Sequence, residues 1–175
     1  MSDVADELTR LVNEYRARAS ATVTSRLDVL MDLERVRHPG VVPFLLELLR
    51  DSLESDEVRI HVVKQLRNGT GVLVPANRPG VAVALSHVLT RASAEELRLQ
   101  AALALGDFTD VDGVLSSLSA ISLAADESLD LRYAAFTSLE RSGPTAESVA
   151  LLRQIAADEA FGNAARNVLS AWHVN

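Results

Sequence analysis

Two glycines one residue apart, a short apolar run and two prolines make up NGTGVLVPANRPG, residues 68–80. Glycine-rich turns can present backbone N–H groups to phosphate oxygens, so nucleotide chemistry is the first possibility to weigh. A phosphate loop of the G-x-x-x-x-G-K-[ST] kind and a G-x-G-x-x-G dinucleotide fingerprint both need spacings that Gly69 and Gly71 do not supply. The tripeptide at Asn68 has the form of a glycosylation acceptor, which means nothing without a secretory route. His38, His61, His87 and His173 are far apart, with neither H-x-x-x-H nor H-E-x-x-H spacing, so no zinc site is expected. Cysteine is absent, which removes thiolate nucleophiles, thiolate metal sites and disulfides. No G-x-S-x-G elbow occurs. The pairs Asp56–Glu57, Glu95–Glu96 and Asp158–Glu159 have the composition of general acid and base partners. They stand where helices are expected to begin, and there carboxylates complement the helix dipole and cap free amides. The expectation is a chain with no catalytic residue, no metal and no cofactor.

The elements that position these residues follow from composition and period. At 175 residues the chain is long enough to bury a core without staples. Aromatics are only 4%, so that core is built from Leu, Val and Ala. Apolar residues recur at intervals of three and four, which predicts an all-α protein. Val4, Leu8, Leu11, Val12 and Tyr15 make a first amphipathic helix over 3–19. A second runs over 22–37 and stops at His38-Pro39-Gly40, because proline disfavours helix in the residue before it. The first 20 residues carry Asp3, Asp6, Glu7 and Glu14 instead of a basic start and an apolar core, and no run approaches the roughly 18 apolar residues of a membrane span. Together with the missing cysteine, this predicts a cytoplasmic protein that does not meet a membrane.

Charge narrows the partners. The net charge is -7, and residues 81–175 hold 6 basic against 12 acidic side chains. Nucleic-acid binding relies on clustered Lys and Arg, so it is not expected. Of the 17 basic residues all but Lys64 are Arg, a bias ascribed to a GC-rich genome.

The chain repeats itself. VRIHVVKQL (58–66), LRLQAALAL (97–105) and LRYAAFTSL (131–139) each open with a large apolar residue followed by Arg and close on Leu at the ninth place. SRLDVLMDL (25–33) is a weaker copy, and FGNAARNVL (161–169) a degenerate one with Gly162 in the arginine's place. An apolar helix precedes each copy, which predicts five helical hairpins over 3–37, 39–67, 79–106, 111–141 and 144–172 in one domain spanning 1–175. One hairpin cannot bury both of its apolar faces, so such hairpins stack. The arginines are spaced by 33, 39 and 34 residues. Residues 68–80 are therefore an inter-repeat insertion closed by Pro79, with Val72, Leu73 and Val74 expected to tuck against a hairpin edge.

This pattern resembles the HEAT-like repeats of many bacterial proteins, including the variety shared with phycobilisome lyases, in which an acid precedes a Val-Arg pair and a run of small apolar residues. DEVRIHVV, EELRLQAA and LDLRYAAF carry the likeness, over about residues 22–172. The chain departs from the pattern at Gly162 and at Leu129, where an acid is expected. A tetratricopeptide array has a similar period, but its Trp, Gly, Tyr and Pro signature is missing. The resemblance implies a right-handed α-α superhelix, a short solenoid whose second helices line the concave side. It also allows a bilin lyase-like subunit or, against the acidic balance, an alkylpurine DNA glycosylase.

At 100° per residue from the apolar residue that opens each copy, offsets 0, 1, 4, 5 and 8 point inward and 2, 3, 6 and 10 outward. Arg26, Arg59, Arg98 and Arg132 then form a ladder at the edge of the buried face, bonded to carboxylates or helix-end carbonyls. The outward set is Ile60, His61, Lys64 and Asn68, then Leu99, Gln100, Leu103 and Asp107, then Tyr133, Ala134, Thr137 and Arg141. Ile60, Leu99, Leu103 and Tyr133 form an apolar stripe suited to a protein or peptide partner, with His61, Lys64, Gln100, Thr137 and Arg141 beside it. The competing expectation is that neighbouring second helices cover the stripe. The function expected is a non-catalytic interaction module or scaffold. Alternatives are the bilin lyase-like subunit and an acidic, immunity-type inhibitor masking a basic partner.

Overall fold

The computed structural model describes residues 2–67 and 74–174. Among the described residues the chain is all-α, with ten α-helices, one 3₁₀ turn and no strand. It divides into two compact units, Met1–Val88 and Leu89–Asn175.

The first unit contains α1 (Ser2–Ala17), α2 (Val23–Leu33), α3 (Val41–Arg50), α4 (Asp56–Arg67) and most of α5 (Arg78–Arg91). Helix α1 packs on α2, α3 on α4, and α2 on α4. Leu11, Leu30, Leu33, Leu45, Leu49 and Val62 are fully buried between them, and Tyr15 meets Phe44 edge to face with ring centroids 5.6 Å apart. Thr22 caps α2 by accepting from the Ser25 amide. That helix ends at Leu33, four residues short of the expected 37. The chain leaves it through a turn in which Val36 N–H donates to the Leu33 carbonyl, and the turn carries Val36 into the core. The first helix likewise ends at Ala17 instead of 19, its last residues continuing as tight turns.

Of the insertion over 68–80, only residues 74–80 are described. Val74 is half-buried and leads into the 3₁₀ turn Pro75–Asn77, and α5 already begins at Arg78. Pro79 stands in its first turn, where a missing N–H costs no hydrogen bond. Val72 and Leu73, expected to tuck against a hairpin, lie outside the described residues.

The second unit continues α5 from Leu89 and adds α6 (Glu95–Leu105), α7 (Val114–Leu123), α8 (Leu129–Glu140), α9 (Ala146–Ile155) and α10 (Gly162–Ala171). Helix α7 packs on α8 and α9, α6 on α8, and α9 on α10. Leu97, Leu105, Leu118, Leu131, Leu139 and Ile155 are fully buried there, and Phe136 stacks on Phe161. Its helix starts are fixed locally. Ser128 accepts from the Leu131 amide ahead of α8, and Thr145 with Ser148 forms a reciprocal capping box ahead of α9.

Candidate interaction surface

Each ladder arginine reaches back to a carbonyl at or just beyond the end of the preceding helix, where backbone oxygens lack intrahelical donors. Arg59 Nε and Nη2 both donate to the Leu49 carbonyl, at 3.1 and 3.0 Å. Arg98 Nε donates to that of Leu89 and Arg132 Nε to that of Ser122, each at 2.8 Å. Arg26 Nη1 donates to the Ala21 carbonyl at 2.8 Å, in the turn that follows α1. Three of the four also hydrogen-bond a carboxylate, Arg26 that of Glu54 at 3.0 Å, Arg98 both oxygens of Glu127, and Arg132 that of Asp158 at 3.1 Å, while Arg59 Nη1 lies 4.0 Å from Asp56 Oδ1. Arg132 lies in addition 5.0 Å over the Phe161 ring. Glu54 also accepts from the Tyr15 hydroxyl at 2.6 Å, and burial followed by that carboxylate raises the Tyr15 phenol above its ordinary range. The Arg98 hydrogen bond in turn holds the Glu127 carboxyl below its ordinary value.

Sequence reasoning missed these acids although a signal was there. Glu54 and Glu127 stand five residues before Arg59 and Arg132, and Asp158 four before Gly162; the fifth residue before Arg98 is Ser93. The degenerate last copy is explained too. A Cβ on Gly162 would lie 2.7 Å from the Ala156 carbonyl oxygen, and Arg166, one turn further on, donates to that same carbonyl.

The acidic pairs expected to cap helix amides divide. Asp56, Glu57, Glu95 and Glu96 occupy first turns, but the amide at the start of α4 is capped by Ser55, and Ala94 precedes α6 without a side-chain cap. Asp158 does accept from backbone, taking the amides of Ala160 and Phe161 besides Arg132.

The outward residues fall in both units. In the first, Ile60 and His61 are half-buried and Lys64 is exposed; Asn68 lies outside the described residues. His61 Nε2 is 3.2 Å from Glu34 Oε1 but out of line for a hydrogen bond. In the second, Leu99, Gln100, Leu103, Asp107 and Thr137 are half-buried, while Tyr133 and Arg141 are exposed. Gln100 donates to Glu96, Thr137 to the Tyr133 carbonyl, and Arg141 pairs with Asp107. Ala134 departs from the outward expectation. It is buried, because its offset borders the flank on which second helices meet and a methyl group is short enough to be covered.

That flank carries a feature the offsets did not assign. Gln65, seven residues into its copy, is buried and donates through Nε2 to the Leu30 carbonyl at 2.8 Å; Ser138, at the same offset, donates to the Ala102 carbonyl at 2.7 Å. Both acceptors stand at offset five of the preceding copy. Ser138–Ala102 and Arg141–Asp107 together show that α6 and α8 run parallel, with a residue of α6 beside the residue 34 to 36 further along. Leu99 holds on α6 the repeat position that Tyr133 holds on α8, and Glu95 the position of Leu129. Tyr133 remains 63% exposed, so the packing of second helices leaves it uncovered. Leu129, one turn before it on the same stripe, is 64% exposed and was not among the expected surface residues.

Among the described residues no group of three His, Asp or Glu side chains is placed to hold a metal ion, and no helix is long and apolar enough to cross a membrane. Neither a family model nor a curated protein matches the chain.

Proposed function

We propose that the chain is a non-catalytic protein-interaction module, a short right-handed α-α superhelix of HEAT-like hairpins that holds a protein or peptide segment on the concave side of its second helices, in the cytoplasm. The observation that carries this reading is Tyr133. A large aromatic side chain left 63% exposed on a helix whose other face is buried is an anchor for a partner. The ladder arginines, each bonded to a carbonyl at a helix end or in the turn after it, have an architectural role in this reading.

Affinity capture from the native host, with the parent chain and Tyr133→Asp and Leu99→Asp variants, tests it. A specific partner is expected on the parent and absent from Tyr133→Asp, with the circular-dichroism melt of that variant nearly unchanged. Retention of every captured protein by both variants sinks the reading, and loss of helicity in Leu99→Asp assigns Leu99 to the core instead.

A further inference from the structure

Leu129 and Tyr133 stand four residues apart on α8, so their side chains share one face a turn apart. Both are more than half exposed. Leu99, half-buried on the adjoining α6, holds the same repeat position there as Tyr133 on α8 and extends the apolar strip. The same end of these two helices is acidic. Glu95 and Glu96 occupy the first turn of α6, Asp130 the first turn of α8, Asp126 the turn before it, and all four are exposed.

The balance of charge there is negative. The N-termini of α6 and α8 contribute roughly half a positive charge each, about one in all. Arg98 is already matched by Glu127, with which it makes a two-pronged ion pair, and its guanidinium is raised first by that bond and further by Glu95 and Asp126. Four exposed carboxylates against about one unit of dipole charge leave a net field of about three negative charges beside an uncovered Leu–Tyr pair. An anionic membrane or a nucleic-acid backbone is repelled by that field. A second copy presenting the same face across a twofold axis is repelled equally.

We infer that the α6–α8 face of the second unit docks a cationic amphipathic segment of another protein, whose large apolar side chains cover Leu129, Tyr133 and Leu99 while its Lys or Arg side chains approach Glu95, Glu96 and Asp130. This deepens the interaction-module reading and rests on it. The apolar strip supplies affinity by burial, and the acids supply encounter rate and choice of partner.

The test is an anisotropy titration with a fluorescein-labelled amphipathic peptide of leucine and lysine, beside a matched peptide of leucine and glutamate. The lysine peptide is expected to bind, the glutamate peptide is not, and raising the salt several-fold weakens the lysine complex because the carboxylates are exposed. A Leu129→Ser/Tyr133→Ser variant loses at least about tenfold in affinity, roughly 1.4 kcal/mol. A Glu95→Gln/Glu96→Gln/Asp130→Asn variant, which leaves only Asp126 of the four carboxylates, loses most of the salt dependence. All five positions are exposed, so both variants should keep the parent's helicity, the triple variant melting slightly lower for the loss of first-turn carboxylates. Equal binding of the two peptides overturns the cationic chemistry and leaves the interaction module standing. Unchanged binding by Leu129→Ser/Tyr133→Ser places the peptide elsewhere and overturns the assignment to this face. A concentration-dependent doubling of mass that the same variant abolishes gives the face to a second copy. If neither peptide binds, the inference fails, and the capture experiment with Tyr133→Asp decides separately whether the module reading fails with it.

Discussion

Arg132 is 6% exposed and donates to the Ser122 carbonyl and to Asp158, whereas Arg141, just beyond the end of the same helix, meets Asp107 in solvent. Removing one partner of a buried pair strands the other and costs about 3 kcal/mol or more, while exposed pairs contribute less than about 1 kcal/mol. Arg132→Ala is therefore expected to lower the denaturant midpoint severely and Arg141→Ala hardly at all; equal effects in urea titration would show that the ladder does not hold the hairpins. Glu127 adds a pH dependence. Its carboxyl is held below its ordinary value of 4.5, so the stabilisation from pairing is present above that value and is lost as the pH falls through the lowered one. Glu127→Gln should melt below the parent at neutral pH, and the gap should narrow in melts taken at successively lower pH below the ordinary carboxyl value. The arginine column was legible because the same residue type recurs at a helical position of constant register. Its acidic partners were not, because they sit in turns whose length varies by a residue, and the repeated window opened after them.

At the scale of the element, burial follows the helical period closely. Offsets 0, 4, 5 and 8 hold buried side chains in the copies on α4, α6 and α8. Ala102 is fully buried on α6, level with Ser138 of α8. Ala102→Asp should cost on the order of 3 kcal/mol or more by burying an unpaired charge, and a calorimetric melt matching the parent would refute the inward register. Gly162→Ala is a gentler probe of helix approach. The new methyl would stand 2.7 Å from a backbone carbonyl that has no rotamer to change, so a loss of about 1–3 kcal/mol is expected in urea titration. Helix ends were read less well than helix faces. Pro39 marks where a helix cannot run, but α2 stops earlier, since a turn at 34–36 buries Val36. Periodicity alone does not weigh that gain against one more turn of helix.

For the whole molecule, the legible part was the helical class; of the outward residues on α6 and α8 Tyr133 is exposed while Leu99 and Leu103 are half-buried, and Leu129 was missed because it precedes the apolar-Arg pair from which offsets were counted. Ala134 was misplaced because the wheel separates a helix from water but does not know which neighbour lies on its flank. Charge gives a prediction at this scale. With a net charge of -7 and an isoelectric point near 5.1, the chain repels its own copies at neutral pH. Light scattering across a pH series should find its solubility lowest near 5.1, and a cationic peptide should bind progressively less well as that value is approached from above.

Arg166 performs from one turn away the task that its counterparts perform from the place Gly162 occupies, fastening a helix to the carbonyl end of the one before it. Long, forked side chains make this joint tolerant: the root of the anchor can migrate by a whole turn while its tip stays put. Residue-by-residue likeness between copies can therefore fade faster than the fastening it encodes, and a worn copy such as FGNAARNVL can remain mechanically equivalent to its neighbours.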